Sequence, residues 1–218
     1  MHSTEATTLD KLRIVCVDPG INLGISCLEV DVQTKKIKAL ETHTLSLNDI
    51  ANIHYSEMVE SQGLVVTRIV VIEDALKQYA SFWLPDFIVH ETAFSAHGRR
   101  FGGSIESFAS LRENILGIKL AACRYDPTLP VIAVNPSTVK YCVVGEKSDD
   151  KNQMKLGLLS KTDLDLSSVN VDELDQHAID SMGIGYTFIQ KQIFGDSENE
   201  RSKRSKNAKG NKNKSARR

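Results

Sequence analysis

The stretch Ile14-Val15-Cys16-Val17-Asp18-Pro19-Gly20 joins an apolar run to a carboxylate and then to a turn. A run of this kind, bounded by turn residues, predicts a buried strand that stops just after Asp18. A second run, Phe87-Ile88-Val89-His90, ends in the same way at Glu91. If the two strands are parallel neighbours, about 4.8 Å apart, their carboxylates meet at the carboxyl edge of the sheet, where open α/β sheets place their chemistry. That separation suits divalent metal ions.

The apolar pattern of the whole chain predicts an α/β fold. Short strands at 12–17, 24–30 and 37–43, joined by turns, predict an antiparallel meander. Apolar residues spaced by four and three then predict a helix over 57–79. Further along, the pattern predicts strands at 87–91 and 131–134 and helices over 108–122, 152–160 and 171–193. The expected architecture is a five-stranded mixed sheet, three antiparallel strands and then two parallel ones, flanked by helices.

Length and composition predict one domain. With 218 residues and 41% hydrophobic content, the chain can bury one core, which we place at residues 11–195, after a flexible N-terminus at 1–10. There is no signal-peptide pattern and no stretch of about 18 apolar residues, so we expect a soluble, cytoplasmic protein without a membrane partner. The four cysteines lack metal-type spacing, and Cys16 and Cys123 fall in apolar segments, so we expect reduced, small core residues.

Charge is distributed unevenly along the chain. Residues 201–218 carry nine Lys or Arg and no acid, which leaves 18 basic against 28 acidic groups in the preceding residues. The segment has no aromatic or branched apolar side chain, so residues 196–218 are predicted to be a disordered basic tail. A tail of this kind favours nucleic-acid binding through phosphate neutralisation, and the alternative is a solubilising end.

The last predicted helix adds two candidate metal ligands. His177 and Asp180 are three residues apart, so they share a helix face and can reach the same ion. Asp175 falls on a different face, and Asp172 and Glu173 are ordinary for a helix start. A solvent-exposed histidine is the alternative interpretation of His177.

Four segments resemble the RuvC-type Holliday junction resolvases of the RNase H-like superfamily. The first is Val17-Asp18-Pro19-Gly20 with Gly24, and the second is Glu91 followed by Phe94. The third runs from Val139-Lys140 through Val143-Val144-Gly145 to Lys151 and Gln153, and the last is His177-Ala178-Ile179-Asp180-Ser181. Their order matches that of the family, whereas the long helical segment 48–85 and the basic tail depart from its compact form.

The resemblance implies a metal-dependent endodeoxyribonuclease that resolves four-way DNA junctions by paired, symmetric nicks. It implies an RNase H-like fold and two Mg²⁺ or Mn²⁺ ions, with no small-molecule cofactor. Asp18 would bridge the ions, with Glu91 on one side and Asp180 with His177 on the other, and His177 is also a candidate general base. A homodimer would serve the two symmetric cuts. Bacterial cytoplasm, or that of a host cell if the source is a phage or virus, is the expected setting.

The remaining candidate residues would contact DNA. Phe94 is either a wedge that unstacks a base at the crossover or a small packing residue. Lys140 and Lys151 would also assist cleavage, according to the resemblance. The candidate phosphate contacts, any of which could instead be a solvated surface charge, are Arg99, Arg100, Lys140, Lys147 and Lys151.

Three other functions remain open at the level of sequence. A flap or branch nuclease, or an RNase H, could use the same fold and metals. The sugar kinase, actin and Hsp70 group also has an Asp-containing first strand followed by glycine, but it usually needs two such domains. A non-catalytic DNA-binding protein is the third alternative, and the complete acidic set argues against it.

Overall fold

A computed structural model describes residues 10–93, 105–145 and 152–195 of the chain. The strands within these ranges are β1 (Lys11–Pro19), β2 (Asn22–Asp31), β3 (Lys36–Ser46), β4 (Phe87–Glu91), β5 (Val131–Val134) and β6 (Leu164–Asp165). They form one sheet in the order β5-β4-β1-β2-β3-β6. β1, β2 and β3 pair antiparallel, β4 and β5 extend the sheet parallel to β1, and β6 runs parallel to β3.

Helices cover both faces of this sheet. Within the described residues they are α1 (Leu47–His54), α2 (Ser56–Gln62), α3 (Leu64–Trp83), α4 (Ile105–Tyr125), α5 (Pro136–Val144), α6 (Asn152–Leu159) and α7 (Gln176–Phe188). A π-helical turn, Ile189–Ile193, continues α7. No helix in the described ranges is long and apolar enough to cross a membrane.

Alternation along β1 divides the core into two halves. Ile14 and Cys16 pack with residues of α5, α6 and α7, whereas Val15 and Val17 pack with residues of α1, α3 and α4. Successive side chains of a strand point to opposite faces, so one apolar run fills both layers. The buried run predicted before Asp18 is therefore confirmed.

Small residues let α7 lie very close to the sheet. A Cβ on Gly185 would overlap Cys16 Sγ and would come within 2.6 Å of Leu28 Cδ1. Nearer the start of the helix, the hydroxyl groups of Ser26 and Ser181 share a buried hydrogen bond. From Ser181 to Ile189 every residue is buried, which is the pattern of a helix enclosed by the core rather than lying at its surface.

The sheet agrees with the prediction except at its outer edge. The predicted fold class and the five predicted strands are confirmed, but β6 adds a sixth strand. β6 has only two residues, which pair with Ile37 and Lys38, and so short a strand leaves no periodic pattern in a sequence. β5, the strand predicted at 131–134, is an edge strand, so its residues are half-buried or exposed.

The helices depart more from the prediction. The single helix expected over 57–79 is divided, because Gly63, with φ of +83°, separates α2 from α3. The buried face of α3 passes through Thr67, Val71 and Ile72, which leaves Val65 40% exposed. Cys123 was expected in the core, yet it is exposed on the outer side of α4.

The last helix begins later than the predicted residue 171. Asp175 adopts an extended backbone and its carboxylate accepts the Ala178 N–H, which makes Asp175 the N-cap of α7. A capping residue lies outside the helix, so the acids before it cannot belong to the same helix. Met182 and Tyr186 are buried on the face of α7 that packs against the sheet.

The contact at Gly185 can be tested by adding one methyl group. We expect Gly185→Ala to lower the free energy of unfolding by about 1–3 kcal/mol, because the new Cβ overlaps Cys16 in a packed core. Gly117→Ala in α4 is a matched control, since its Cβ would come no closer than 3.3 Å to the Ile72 side chain and 3.5 Å to the Ile69 backbone. Urea unfolding of both variants measures the difference, and equal stabilities would contradict the proposed close packing of α7.

Candidate active site

Asp18 and Glu91 lie at the ends of neighbouring parallel strands. The register of β1 and β4 sets Val17 opposite His90, so the two acids are the next residues along their strands. The residues two positions before each acid belong to the core half that contains α7. Because side chains alternate along a strand, both carboxylates are on the α7 face of the sheet. The prediction that these strands are parallel neighbours is confirmed.

The first turn of α7 lies across the ends of β1, β2 and β3. Asp18, Gly24 and Thr44 are paired in register across these three strands. A Cβ on Gly24 would overlap the backbone carbonyl of His177, so only glycine allows the helix to approach this closely. Beside this contact, Thr44 Oγ1 donates a hydrogen bond of 2.5 Å to Asp175. The start of the helix is thereby fixed over the strand that neighbours Asp18.

His177 is brought into direct contact with Asp18. Its Nδ1 lies 2.8 Å from Asp18 Oδ2. The hydrogen bond to Asp18 raises the pKa of His177, while partial burial acts in the opposite direction. Nδ1 can donate its hydrogen to the carboxylate in either protonation state of the ring. In the neutral ring Nε2 remains an acceptor, as the general-base role predicted for His177 requires.

Glu91 and Asp180 are acids whose ionisation is opposed by their surroundings. Burial, followed by the negative charges of Asp18 and Asp180, raises the pKa of Glu91 to about 8. Burial and the charge of Asp18 also raise the pKa of Asp180 to about 6, against a hydrogen bond from Gln176 that lowers it. The three carboxylates therefore lie close enough to repel one another, and a cation among them would relieve that repulsion.

Lys140 lies near this acidic group. It is exposed on α5, and its positive charge lowers the pKa of both Glu91 and Asp180, against the stronger effect of burial. Asn135, at the end of β5, begins α5 by accepting the Ser137 N–H. The other predicted DNA-contact residues lie outside the described residues: Phe94, Arg99, Arg100, Lys147 and Lys151.

The chemistry of these side chains fits a hard divalent cation. Carboxylate oxygens suit Mg²⁺ and Mn²⁺, and an imidazole nitrogen suits many divalent transition metals. In their present rotamers, however, no three His, Cys, Asp or Glu in the described part of the chain form a group that could hold an ion. His177 and Asp18 face each other, and Asp180 accepts a 2.7 Å hydrogen bond from Gln176.

Asn114 is a residue of this site that the sequence analysis missed. Its buried Nδ2, on α4, donates to the carbonyl oxygens of Pro19 and Gly20 at 3.0 Å each. These bonds hold the turn that directly follows Asp18 against the helix. The only local signal for Asn114 was its position as a polar amide beside the apolar Ile115 in a predicted helix, and no sequence feature indicated its hydrogen-bond partners.

Comparison with solved structures shows the fold of the chain. The structure of Thermus thermophilus RuvC is 18% identical, with a TM-score of 0.56 over 81% of this chain and 92% of that chain. In complex with a Holliday junction substrate, T. thermophilus RuvC aligns with a TM-score of 0.60 at 18% identity, over 84% of this chain and 96% of that chain. The yeast mitochondrial Holliday junction resolvase Ydc2 is 14% identical, with a TM-score of 0.52 over 84% of this chain and 80% of that chain.

These similarities show that the chain has the RNase H-like fold of the RuvC-type resolvases, as predicted. No family model and no curated protein matches the sequence. At this level of identity the likeness is one of fold, and function has to be argued from the site itself.

The raised pKa of Glu91 predicts a cost in stability. Since the folded value of about 8 exceeds the ordinary 4.5, ionisation of Glu91 opposes folding increasingly between these two pH values and fully above pH 8. We therefore expect Glu91→Gln, in EDTA, to raise the free energy of unfolding by roughly 1–3 kcal/mol at pH 8.5 and by much less at pH 5. Urea unfolding at both pH values measures this, with the exposed Glu60→Gln as the control. A gain that did not depend on pH would contradict the assignment.

Proposed function

We propose that the protein is a metal-dependent, structure-selective endodeoxyribonuclease that resolves four-way DNA junctions by paired, symmetric nicks. The observation that carries the proposal is the gathering of Asp18, Glu91 and Asp180 at the carboxyl edge of β1 and β4. This group occurs in a fold shared with junction resolvases, one of which is solved with its Holliday junction substrate. Fold and site together favour this activity over the other functions of acidic clusters.

The side chains would have different roles in phosphodiester hydrolysis, some binding metal ions and one adding positive charge. Asp18, Glu91 and Asp180, with His177 once it leaves Asp18, would hold two Mg²⁺ or Mn²⁺ ions. Bound ions of this kind activate water and stabilise the charge that develops on the phosphate. The ammonium group of Lys140 lies near the same acids and would add positive charge beside the scissile phosphate. Burial around Glu91 limits water access and strengthens these electrostatic effects.

Binding of the junction would rest on Phe94 and on basic residues, all of which lie outside the described ranges. Phe94 follows Glu91 by three residues, so a wedge there would act close to the metals. Arg99, Arg100, Lys147 and Lys151, with the basic tail, would neutralise phosphates and fix the DNA without reading its sequence.

A homodimer is part of the proposal because two symmetric cuts need two active sites related by a twofold axis. The face formed by α4 and the edge strand β5 is a suitable contact. A groove there is lined by Ala109, Arg112, Leu116 and Ala133, and Leu116 is 50% exposed. The apolar lining with charged neighbours such as Arg112 would give such a contact an apolar centre and a polar rim.

One panel of DNA substrates tests the activity. The purified protein is incubated with labelled four-way, three-way, flap and linear duplex DNA, and with an RNA–DNA hybrid, in Mg²⁺, Mn²⁺ or EDTA. Preferential metal-dependent cutting of the four-way junction supports a resolvase. Preference for flaps or hybrids indicates the alternative nucleases, and binding without cutting indicates a non-catalytic protein. A supercoiled plasmid with an extruded cruciform tests pairing of the nicks, because a dimer produces linear DNA and a monomer produces nicked circles.

Substitution of the acids separates binding from cleavage. We expect Asp18→Asn, Glu91→Gln and Asp180→Asn each to reduce cleavage at least 100-fold while junction affinity stays within about threefold, because each removes a ligand oxygen's charge without adding bulk. Gel-shift and single-turnover assays in Mg²⁺ measure the two properties. Asp165→Asn, at the exposed end of β6, is the control. Near wild-type cutting by any of the three would remove that residue from the site.

Phe94 distinguishes a junction-specific enzyme from a general nuclease. If it inserts at the crossover, Phe94→Ala should slow cleavage of intact junctions at least tenfold more than cleavage of pre-nicked junctions, whose strands already reach the metals. Phe82→Ala is the matched control, since Phe82 is 72% exposed near the opposite end of β4. Single-turnover rates on both substrates are compared, and an equal loss on each would make Phe94 a packing residue.

A further inference from the structure

Gln176 contacts a proposed metal ligand directly. It is the first residue of α7, and its Nε2 donates a 2.7 Å hydrogen bond to Oδ1 of Asp180, one helical turn further along. Residues four apart share a helix face, so the pair meets without any distortion of the backbone. The contact is partly buried, which protects it from competition with water.

The hydrogen bond restricts a torsion that is otherwise loose. The terminal torsion of an aspartate is broad, so the plane of a lone carboxylate is poorly fixed. An amide that donates to one oxygen holds that plane and defines where the second oxygen lies. Gln176 itself stands on a fixed base, because the preceding residue, Asp175, is held by Thr44 and caps the helix.

A neutral donor suits this position better than a charged one. A lysine would cancel the negative charge that makes Asp180 attractive to a cation, and a glutamate would add to the repulsion among Asp18, Glu91 and Asp180. The amide of Gln176 donates to one carboxylate oxygen and carries no charge of its own, so it leaves the negative charge of Asp180 in place.

We propose that Gln176 is a positioning residue that orients the Asp180 carboxylate for the divalent ion. This inference rests on the proposed function only in taking Asp180 as a metal ligand. Hydrogen bonds from groups behind a ligand commonly set its orientation and the affinity for the metal. Mg²⁺ demands a nearly ideal octahedral arrangement, whereas larger ions tolerate deviations. Loss of the amide should therefore affect Mg²⁺ more than Mn²⁺.

Gln176→Met tests the inference because it keeps the length of the side chain and removes the donor. Gln190→Met is the matched control. Gln190 lies in the π-helical turn that continues α7, and it donates a similar hydrogen bond to Asp163, which is not one of the proposed metal ligands. Mn²⁺ binding is measured from the loss of the free-ion electron paramagnetic resonance signal, and Mg²⁺ binding by competition with Mn²⁺. We expect the Mg²⁺ dissociation constant of Gln176→Met to rise about threefold to tenfold, that of Mn²⁺ to rise less, and both to be unchanged in Gln190→Met.

The outcomes separate this inference from the proposed function. If the wild-type protein binds Mn²⁺ but does not cut any junction, the proposed function is wrong while the metal titrations still test Gln176. If the wild type cuts and Gln176→Met binds both ions with unchanged constants, the positioning role is wrong. A wild-type protein that binds neither ion contradicts both proposals. Thermal unfolding in EDTA checks that the two variants are equally folded, and Gln176→Glu should weaken Mg²⁺ binding if orientation rather than charge is what the residue supplies.

Discussion

The contact between the His177 carbonyl and Gly24 is the constraint on which the candidate site depends. The backbone of α7 occupies the space that a side chain at position 24 of β2 would need, so only glycine fits there. The contact brings the first turn of α7 within reach of the strand end that carries Asp18, and the 2.8 Å His177–Asp18 bond follows from it. Without a glycine at this position the helix would be displaced, and the acids of strand and helix would separate.

The same helix is held along its length by further small residues. Ser181 bonds to Ser26 on β2, and Gly185 leaves room for Cys16 on β1. Both contacts lie on the helix that carries Asp180 and His177. Packed protein interiors have low compressibility and transmit strain, so a displacement at either core contact also changes the geometry of the candidate site. A displacement of about 1 Å is large enough to impair catalysis by positioned groups.

The parts of the site that could be predicted are those with a local signal. Asp18 and Glu91 each end an apolar run, and the three-residue spacing of His177 and Asp180 defines one helix face, so strand ends and helix periodicity identified all four. The bond between Asp18 and His177 joins residues 159 positions apart, and nothing local encodes it. Asn114, the two-residue β6 and the division of the predicted helix at Gly63 were missed for similar reasons: each depends on tertiary pairing or on a single backbone torsion.

Electrostatic repulsion explains why extensive packing of α7 is needed to hold the acidic side chains close together. Burial, and after it repulsion from the neighbouring acids, raises the pKa of Glu91 and Asp180, so the acids by themselves weaken the fold. The core of α7 has to supply the compensating stability, and it does so through a helix that is buried on every side from Ser181 onward. His177 relieves part of the charge by bonding to Asp18, and a divalent cation could relieve more. The raised pKa values of Glu91 and Asp180, at the carboxyl edge of the sheet, are the kind of perturbation that clusters at functional sites.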